Sequence, residues 1–305
     1  MIYSLERGAV PVQFTIKLRL ILLSIGLVLI PLMFGVLITG NNSLSLVSDA
    51  LVDSNRNALV SIREQKQQQL SNYLKTIRGQ ITTLASNSMI IGATDEFIFS
   101  FDDYLNEVTN DNQSLVEFYQ GPFSEKYSNL NGEDVNVQPL IPDAESTTSS
   151  LQSAYIADNS HPLGEKNKLL YAEDSSTYGK VHEAYHPSLQ GYLQEFGFYD
   201  IFIINHETGD VIYSVFKEID FATNLLSGPH KDSGLANAFR QARELKKGQV
   251  FTSKFQSYVP SYGAPAAFIA TPIVDGTTKL GVLVFQIPVN RIDRIMTNNS
   301  KWQEV

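Results

Sequence analysis

The chain has 305 residues, 43% of them hydrophobic and 18% charged, which is enough for one or two ordinary domains with a real core. A formal charge of −9 excludes a nucleic-acid surface, because phosphate binding needs clustered Lys and Arg. The absence of cysteine excludes disulfides, thiolate metal sites and thiol nucleophiles.

Residues 20–39 (LILLSIGLVLIPLMFGVLIT) carry no charge. At about 1.5 Å per residue they cover the roughly 30 Å hydrocarbon core of a bilayer, so residues 20–40 are expected to be a transmembrane helix. Arg7, Lys17 and Arg19 precede it, and the first cation after it is Arg56. The positive-inside rule then puts residues 1–19 in the cytoplasm and the bulk of the chain outside. A cleaved signal peptide is the competing reading, but residues 41–43 (NNS) supply no A-x-A-like site.

From 41 to 88 the chain reads as one long amphipathic helix, with Leu70, Leu74, Ile77, Ile81 and Leu84 at spacings of four and three. So narrow a seam fits a stalk pairing with a second copy, a homodimer through the long helix; packing on its own domain is the alternative. Residues 89–195 form a helical and loop-rich part. A helix is expected from 90 to 119 on Phe97, Phe101, Tyr104, Leu105 and Val108, then a polar, loop-rich excursion from 124 to 150.

The sheet signal begins at Phe196. Residues 198–205 and 211–217 are β-branched and aromatic runs separated by the turn-forming string HETGD, which predicts a β-hairpin. A helix follows Ser233, with Leu235, Ala238, Phe239, Ala242 and Leu245 on one face, Lys246 and Lys247 in the last turn, and Gly248 to stop it. Strands are expected near 250–255, 266–274 and 280–287. The predicted fold class is therefore α+β: an N-terminal transmembrane helix, a long amphipathic helix, a helical region and a five-stranded antiparallel sheet module at 196–290, followed by a linker at 291–305. A long helix feeding such a sheet is the plan of PAS-like sensor modules.

Over residues 57–296 the chain resembles the N-terminal part of bacterial transmembrane receptors with a Cache-type periplasmic sensor, such as methyl-accepting chemotaxis proteins and membrane-bound cyclases. The stretches that carry the resemblance are 62–66 (IREQK), 73–80 (YLKTIRGQ), 198–202 (FYDIF), 213–218 (YSVFKE), 262–270 (YGAPAAFIA) and 291–296 (RIDRIM). The resemblance implies a ligand-sensing region in the bacterial inner membrane, with chemotaxis ranked first among outputs and a cyclase or histidine kinase behind it. Such receptors usually continue with a second sensor module, a second membrane helix and an output domain; none fits before Val305, so the chain is expected to stop short of its output.

A sheet-walled pocket for a small molecule of unknown identity would draw on Asp200, Tyr213, Lys217, Asp220 and Tyr262, polar groups in or beside strands that need partners if buried. In the bland alternative Lys217 pairs with Glu218 or Asp220 and the tyrosines merely pack. The loop 258–265, with two prolines and a glycine, reads as a shaped cap on the sheet or as a lid. His182-Glu183-Ala184-Tyr185-His186 matches H-E-x-x-H, a weak zinc candidate through His182 and His186. Pro187 argues that any helix there ends at His186, and no convincing third ligand follows. No phosphate loop or G-x-S-x-G is present, so no catalytic residue and no cofactor are expected, and a zinc hydrolase ranks last. A membrane-anchored interaction protein without a ligand is the main rival to a sensor.

Overall fold

The computed structural model describes residues 15–108 and 112–297. Arg7, and the linker residues after Thr297, lie outside the described residues. The chain divides into two compact units, 1–67 and 68–305.

The first unit is the front part of helix α1, which runs from Ile16 to Ala85. Its segment Ile16–Gly40, 25 residues of mean hydropathy 2.8 with none buried, is long and apolar enough to cross a bilayer. The hydroxyls there are satisfied within the helix, Ser24 donating to the Ile21 carbonyl and Thr39 to that of Gly35. In a hydrocarbon layer, which offers no other partner, such back-bonding is what these hydroxyls would need. Pro31 also lies inside the helix, and the amphipathic stretch follows without a break.

In the second unit, the end of α1 buries Ile77, Ile81, Leu84 and Ala85 in the core of the same chain. The lower half of the expected two-chain seam is thus spent on the chain's own domain. Helix α2 (Ser88–Glu107) starts where Asn87 caps the Met89 N–H, and it buries Phe97, Phe101 and Tyr104. The helix expected to reach 119 is broken at Val108, which is extended, and resumes as α3 (Gln113–Phe118) and a π-helical turn (Tyr119–Phe123). The stretch 124–150 is less loop-like than its composition implies, holding α4 (Ser124–Asn131) and the start of α5 (Thr147–Gln152). A second π-helical turn, Ser153–Ala157, continues α5.

Helix α6 (Thr177–Phe196) corrects the reading of Pro187, which sits inside it rather than ending it. Ser176 caps the Gly179 N–H at its start, and Gly197, left-handed at φ 70°, closes it. Val181, His182, His186, Leu189 and Leu193 are buried on both sides of the proline, and that burial outweighs the roughly 3 kcal/mol a mid-helix proline costs.

Strands β1 (Asp200–Asn205), β2 (Val211–Ser214), β3 (Phe251–Thr252), β4 (Gln256–Ser257), β5 (Pro265–Asp275) and β6 (Thr278–Ile287) form one antiparallel sheet. The order is β2-β1-β6-β5-β3, with β4 also on β5. Counting β3 and β4 as one interrupted edge strand, this is the PAS-like order in an α+β fold. Helix α7 (Gly234–Arg243), capped by Ser233, ends a turn earlier than the sequence suggested, so Lys246 and Lys247 fall in the turn that follows.

The core strands are apolar on both faces because both faces are covered. Ile201, Ile203, Leu283 and Phe285 pack with the buried side chains of α1, α2 and α6. Phe202, Ile204, Val282 and Val284 pack with Leu235 and Phe239 of α7. Where β6 passes β1 the backbones come so close that a Cβ on Gly281 would stand 2.9 Å from the Ile204 carbonyl oxygen. A short helix, α8 (Val289–Thr297), follows β6.

Candidate functional site

Between β2 and α7 the chain crosses the interior of the second unit, and there the polar residues gather. Lys217 and Ala222 both have positive φ, at 60° and 63°, so a strained left-handed residue stands at each end of the segment 217–222. Lys217, Glu218 and Asp220 within it are all buried.

Asp200, the first residue of β1, shapes the entry to this segment. One carboxylate oxygen accepts from Ser214 Oγ at 2.7 Å, and the other from the N–H groups of Val215 and Phe216 at 3.0 Å each. Burial pushes its pKa up, while these hydrogen bonds and the Lys217 charge pull the other way. Asp200 is thus committed to the turn leaving β2.

Lys217 lies among aromatic rings, with Nζ 4.6 Å from the Tyr213 ring centre, 5.2 Å from Phe221 and 5.7 Å from Tyr155. Its ammonium donates to the Ser214 carbonyl. No carboxylate lies within ion-pair distance of it among the described residues, so the pairing with Glu218 or Asp220 that is the alternative to a ligand contact is not formed. Burial holds its pKa well below the ordinary lysine value, against the pull of Asp200.

The two acids bind elsewhere. Glu218 accepts from Tyr199 at 2.7 Å and Ser261 at 2.8 Å; Asp220 accepts from Tyr258 at 2.5 Å, and its second oxygen is buried without a partner. Burial raises both carboxyls, Asp220 to about 7, with nearby negative charges adding to the effect. Through these bonds the loop 258–265 is tied to the segment 217–222. From the other side Gln152 donates to the carbonyls of Ile219 and Phe221, and Thr148 to that of Ala222.

Tyr213 is buried and donates to His186 Nδ1 at 2.7 Å. His186 Nε2 lies 2.7 Å from the Asn167 carbonyl, which makes Nε2 the protonated nitrogen and Nδ1 the acceptor. His182 Nδ1 in turn donates to the Leu170 carbonyl at 2.8 Å, which leaves its Nε2 a buried lone pair without a partner. Burial holds both imidazoles neutral, His182 far below its ordinary value and His186 down to about 3. The rings stack 4.3 Å apart on one face of α6, while Glu183 is exposed. The H-E-x-x-H residues therefore do not converge on one point, and no three His, Cys, Asp or Glu side chains among the described residues could hold a metal ion.

Asp200, Tyr213, Lys217 and Asp220 are thus brought into one buried region. Tyr262 is buried at the edge of the same core: at φ 55° in the capping loop it packs on Phe123, its ring centre 5.3 Å away, and under the Lys126 ammonium at 4.0 Å, near enough to Glu218 to feel its charge. Sequence reading missed Tyr155, Ser149 and Ser153, whose buried hydroxyls have no partner, and Glu218, Gln152 and Tyr258. The π-helical turn that carries Ser153 and Tyr155 has no periodicity to find it by; such turns are frequent at functional sites.

Beside Tyr155 a cleft of about 490 Å³ opens, lined by Ala154, Asp158, Ser160, Tyr171, Glu173 and Asp174 among others. Glu173 and nearby Ser175 are again left-handed, at φ 54° and 61°. Asp174 is fixed as part of the wall, accepting from Tyr104 at 2.7 Å and from the N–H and hydroxyl of Ser176.

No family model matches the chain, and no curated protein sequence matches it. Among solved structures it is similar to the sensor domain of the V. cholerae histidine kinase DctB, at 19% identity and a TM-score of 0.31 over 60% of this chain. The match covers 62% of that structure's length.

Proposed function

We propose that the chain is the extracytoplasmic ligand-sensing region of a transmembrane signalling receptor, anchored in a bacterial inner membrane with its N-terminus in the cytoplasm. One observation carries this reading: the second unit keeps a set of unpartnered polar atoms in its core, the Tyr155, Ser149 and Ser153 hydroxyls and His182 Nε2, together with the buried Lys217, whose Nζ lies 5.7 Å from the Tyr155 ring centre. Each buried polar atom without a partner costs about 1–3 kcal/mol. A domain selected for stability alone would have replaced or paired them, whereas a domain that receives a ligand keeps them for it.

Helix α1 supplies the connection, since it contains both the apolar span and the buried Ile77, Ile81 and Leu84. A ligand that binds two packings of that core unequally shifts the balance between them, and one binding both equally shifts nothing. Pairing with a second copy falls to the upper part of α1, where Val47, Leu51, Val52 and Leu59 are exposed. The output ranked first is chemotaxis, and no catalytic role is assigned within these residues.

The test is thermal unfolding of the full chain in lipid nanodiscs against a panel of amino acids, organic acids and amines, with Lys217→Met alongside. Met keeps the volume of the stem and removes the ammonium. The proposal expects at least one compound to raise the melting temperature of the wild type, and Lys217→Met, still folded, to lose that response. If nothing in the panel stabilises the wild type, the ligand-free interaction protein takes its place.

A further inference from the structure

The carboxyls of Asp200, Glu218 and Asp220 are buried in one core, near enough to act on one another. None has a cation within ion-pair distance among the described residues. Lys217, buried in the same segment, exerts its charge on Asp200, and Lys126 of α4, over the Tyr262 ring, feels that of Glu218. The other groups facing Glu218 and Asp220 are neutral. They are Tyr199 ahead of β1, Tyr119 of the first π-helical turn, Tyr258, Ser261 and Tyr262 of the loop 258–265, and His230, whose Nε2 lies 3.3 Å from the Ile219 carbonyl.

Three carboxylates buried together without an ion pair repel one another in a medium that cannot screen them, so this core keeps a proton. The donors decide where. Asp200 is met by the Ser214 hydroxyl and the N–H groups of Ile201, Val215 and Phe216, and Glu218 by the hydroxyls of Tyr199 and Ser261. Asp220 takes the hydroxyl of Tyr258 on one oxygen, and its second oxygen is buried without a partner. A negative charge is least supported there, and burial, with the Asp200 charge adding to it, pushes this carboxyl up to about 7.

The segment that carries these acids is strained, with Lys217 and Ala222 left-handed at its ends, and its side-chain hold on the loop 258–265 runs through Asp220 to Tyr258 and Glu218 to Ser261. Once Asp220 loses its proton, its second oxygen needs a donor, which only a shift of the segment or the entry of water can bring.

We propose that the segment 217–222 is a proton-operated latch on the loop 258–265: protonated Asp220 keeps segment and loop in contact, and ionised Asp220 opens that contact and lets water reach its carboxylate. The latch stands without the ligand-sensing reading. That reading adds its consequence: Lys217 lies in the same segment, so the sensing region answers to the acidity of its compartment as well as to a ligand.

Hydrogen exchange of the full chain in nanodiscs, read by mass spectrometry at about pH 5.5 and about pH 8.5 and corrected for the intrinsic pH dependence of exchange, tests the latch. The amides to follow are those of Phe221, Ala222 and Thr223 at the end of the segment and of Tyr258, Tyr262 and Gly263 in the loop, all donating to backbone carbonyls. Protection there is expected to fall at least about tenfold at the higher pH, while β1 and β6 keep theirs. A carboxyl that goes from about 7 to 3.8 on opening limits the fall to roughly thirtyfold. Asp220→Asn, which imitates the neutral acid, is expected to stay protected at both pH values. Lys217→Met removes the other group brought to about 7 and is expected to leave the fall in place. The proposal is overturned if the wild type is equally protected at both pH values, if Asp220→Asn shows the same fall, or if Lys217→Met abolishes it. The wild-type comparison can overturn it whatever the variants do. No ligand is present in any arm, so the outcome is independent of whether a compound stabilises the chain.

Discussion

Asp200 changes role once its partners are seen. A strand aspartate near a lysine invites a reading as half of a ligand clamp, but its oxygens hold Ser214 and the N–H groups of Val215 and Phe216. Asp200→Ala leaves those buried donors unpaired, at about 1–3 kcal/mol each, so we expect a loss of several kcal/mol in chemical denaturation rather than a selective loss of ligand response. A folded variant of near wild-type stability would return Asp200 to the list of ligand contacts. Asp220 makes a pH prediction. Its carboxyl is raised from 3.8 to about 7 in the folded chain, so the folded state binds the proton more tightly than the unfolded state. Its contribution to stability is full below pH 3.8 and is lost as pH rises through about 7. The buried His186, lowered from 6.5 to about 3, acts in the opposite sense between those values, so the two must be separated by difference. Asp220→Asn should therefore gain stability relative to the wild type as pH rises from 4 to 8, measured by urea unfolding at each pH; a constant difference would mean that Asp220 does not titrate there.

At the scale of elements, α6 shows burial overriding local preference. Pro187 is exposed and mid-helix, where it removes one backbone donor and crowds the preceding turn, yet the flanking apolar and histidine side chains are buried. Pro187→Ala should stabilise the chain by about 1–2 kcal/mol, the helix gain less the extra freedom of the unfolded chain. Thermal unfolding measures it, and a loss of stability would show that the helix needs its proline. Ser176, Ser233, Asn87 and Gly197 behave as their residue types demand, because capping is settled within one turn of chain. The same locality explains why strands β1, β2, β5 and β6 were legible as β-branched and aromatic runs, whereas the strand expected near 250–255 holds only the two residues of β3, and β4, also of two residues, falls just past it. The two π-helical turns and the break at Val108 have no such local signal.

At the scale of the whole molecule, the absence of cysteine makes the arrangement of copies testable by single substitutions. Leu51→Cys, at a residue 58% exposed on α1, should form disulfide-linked dimers in the membrane under mild oxidation, and Ile77→Cys, at a residue 1% exposed, should not. The reverse pattern would sink the proposal that the upper part of α1 is the pairing surface. What the sequence by itself determined is whatever depends on neighbours along the chain: the apolar span, the caps, the longer strands and the α+β class. A run of twenty uncharged residues has that property in any context, and a β-branched run bounded by turn residues nearly so. What only the tertiary structure decided is which polar groups meet. Lys217 could have paired with Glu218 or Asp220 beside it; instead its neighbours are Tyr155 and Tyr213, brought from 62 and 4 residues away in the numbering. Tyr262 joins the edge of that core through Phe123, brought from 139 residues away in the numbering. Burial sets these partnerships, because a polar atom removed from water must take whatever partner the packing of distant segments brings to it, and that packing is a property of the assembled core rather than of any stretch of chain.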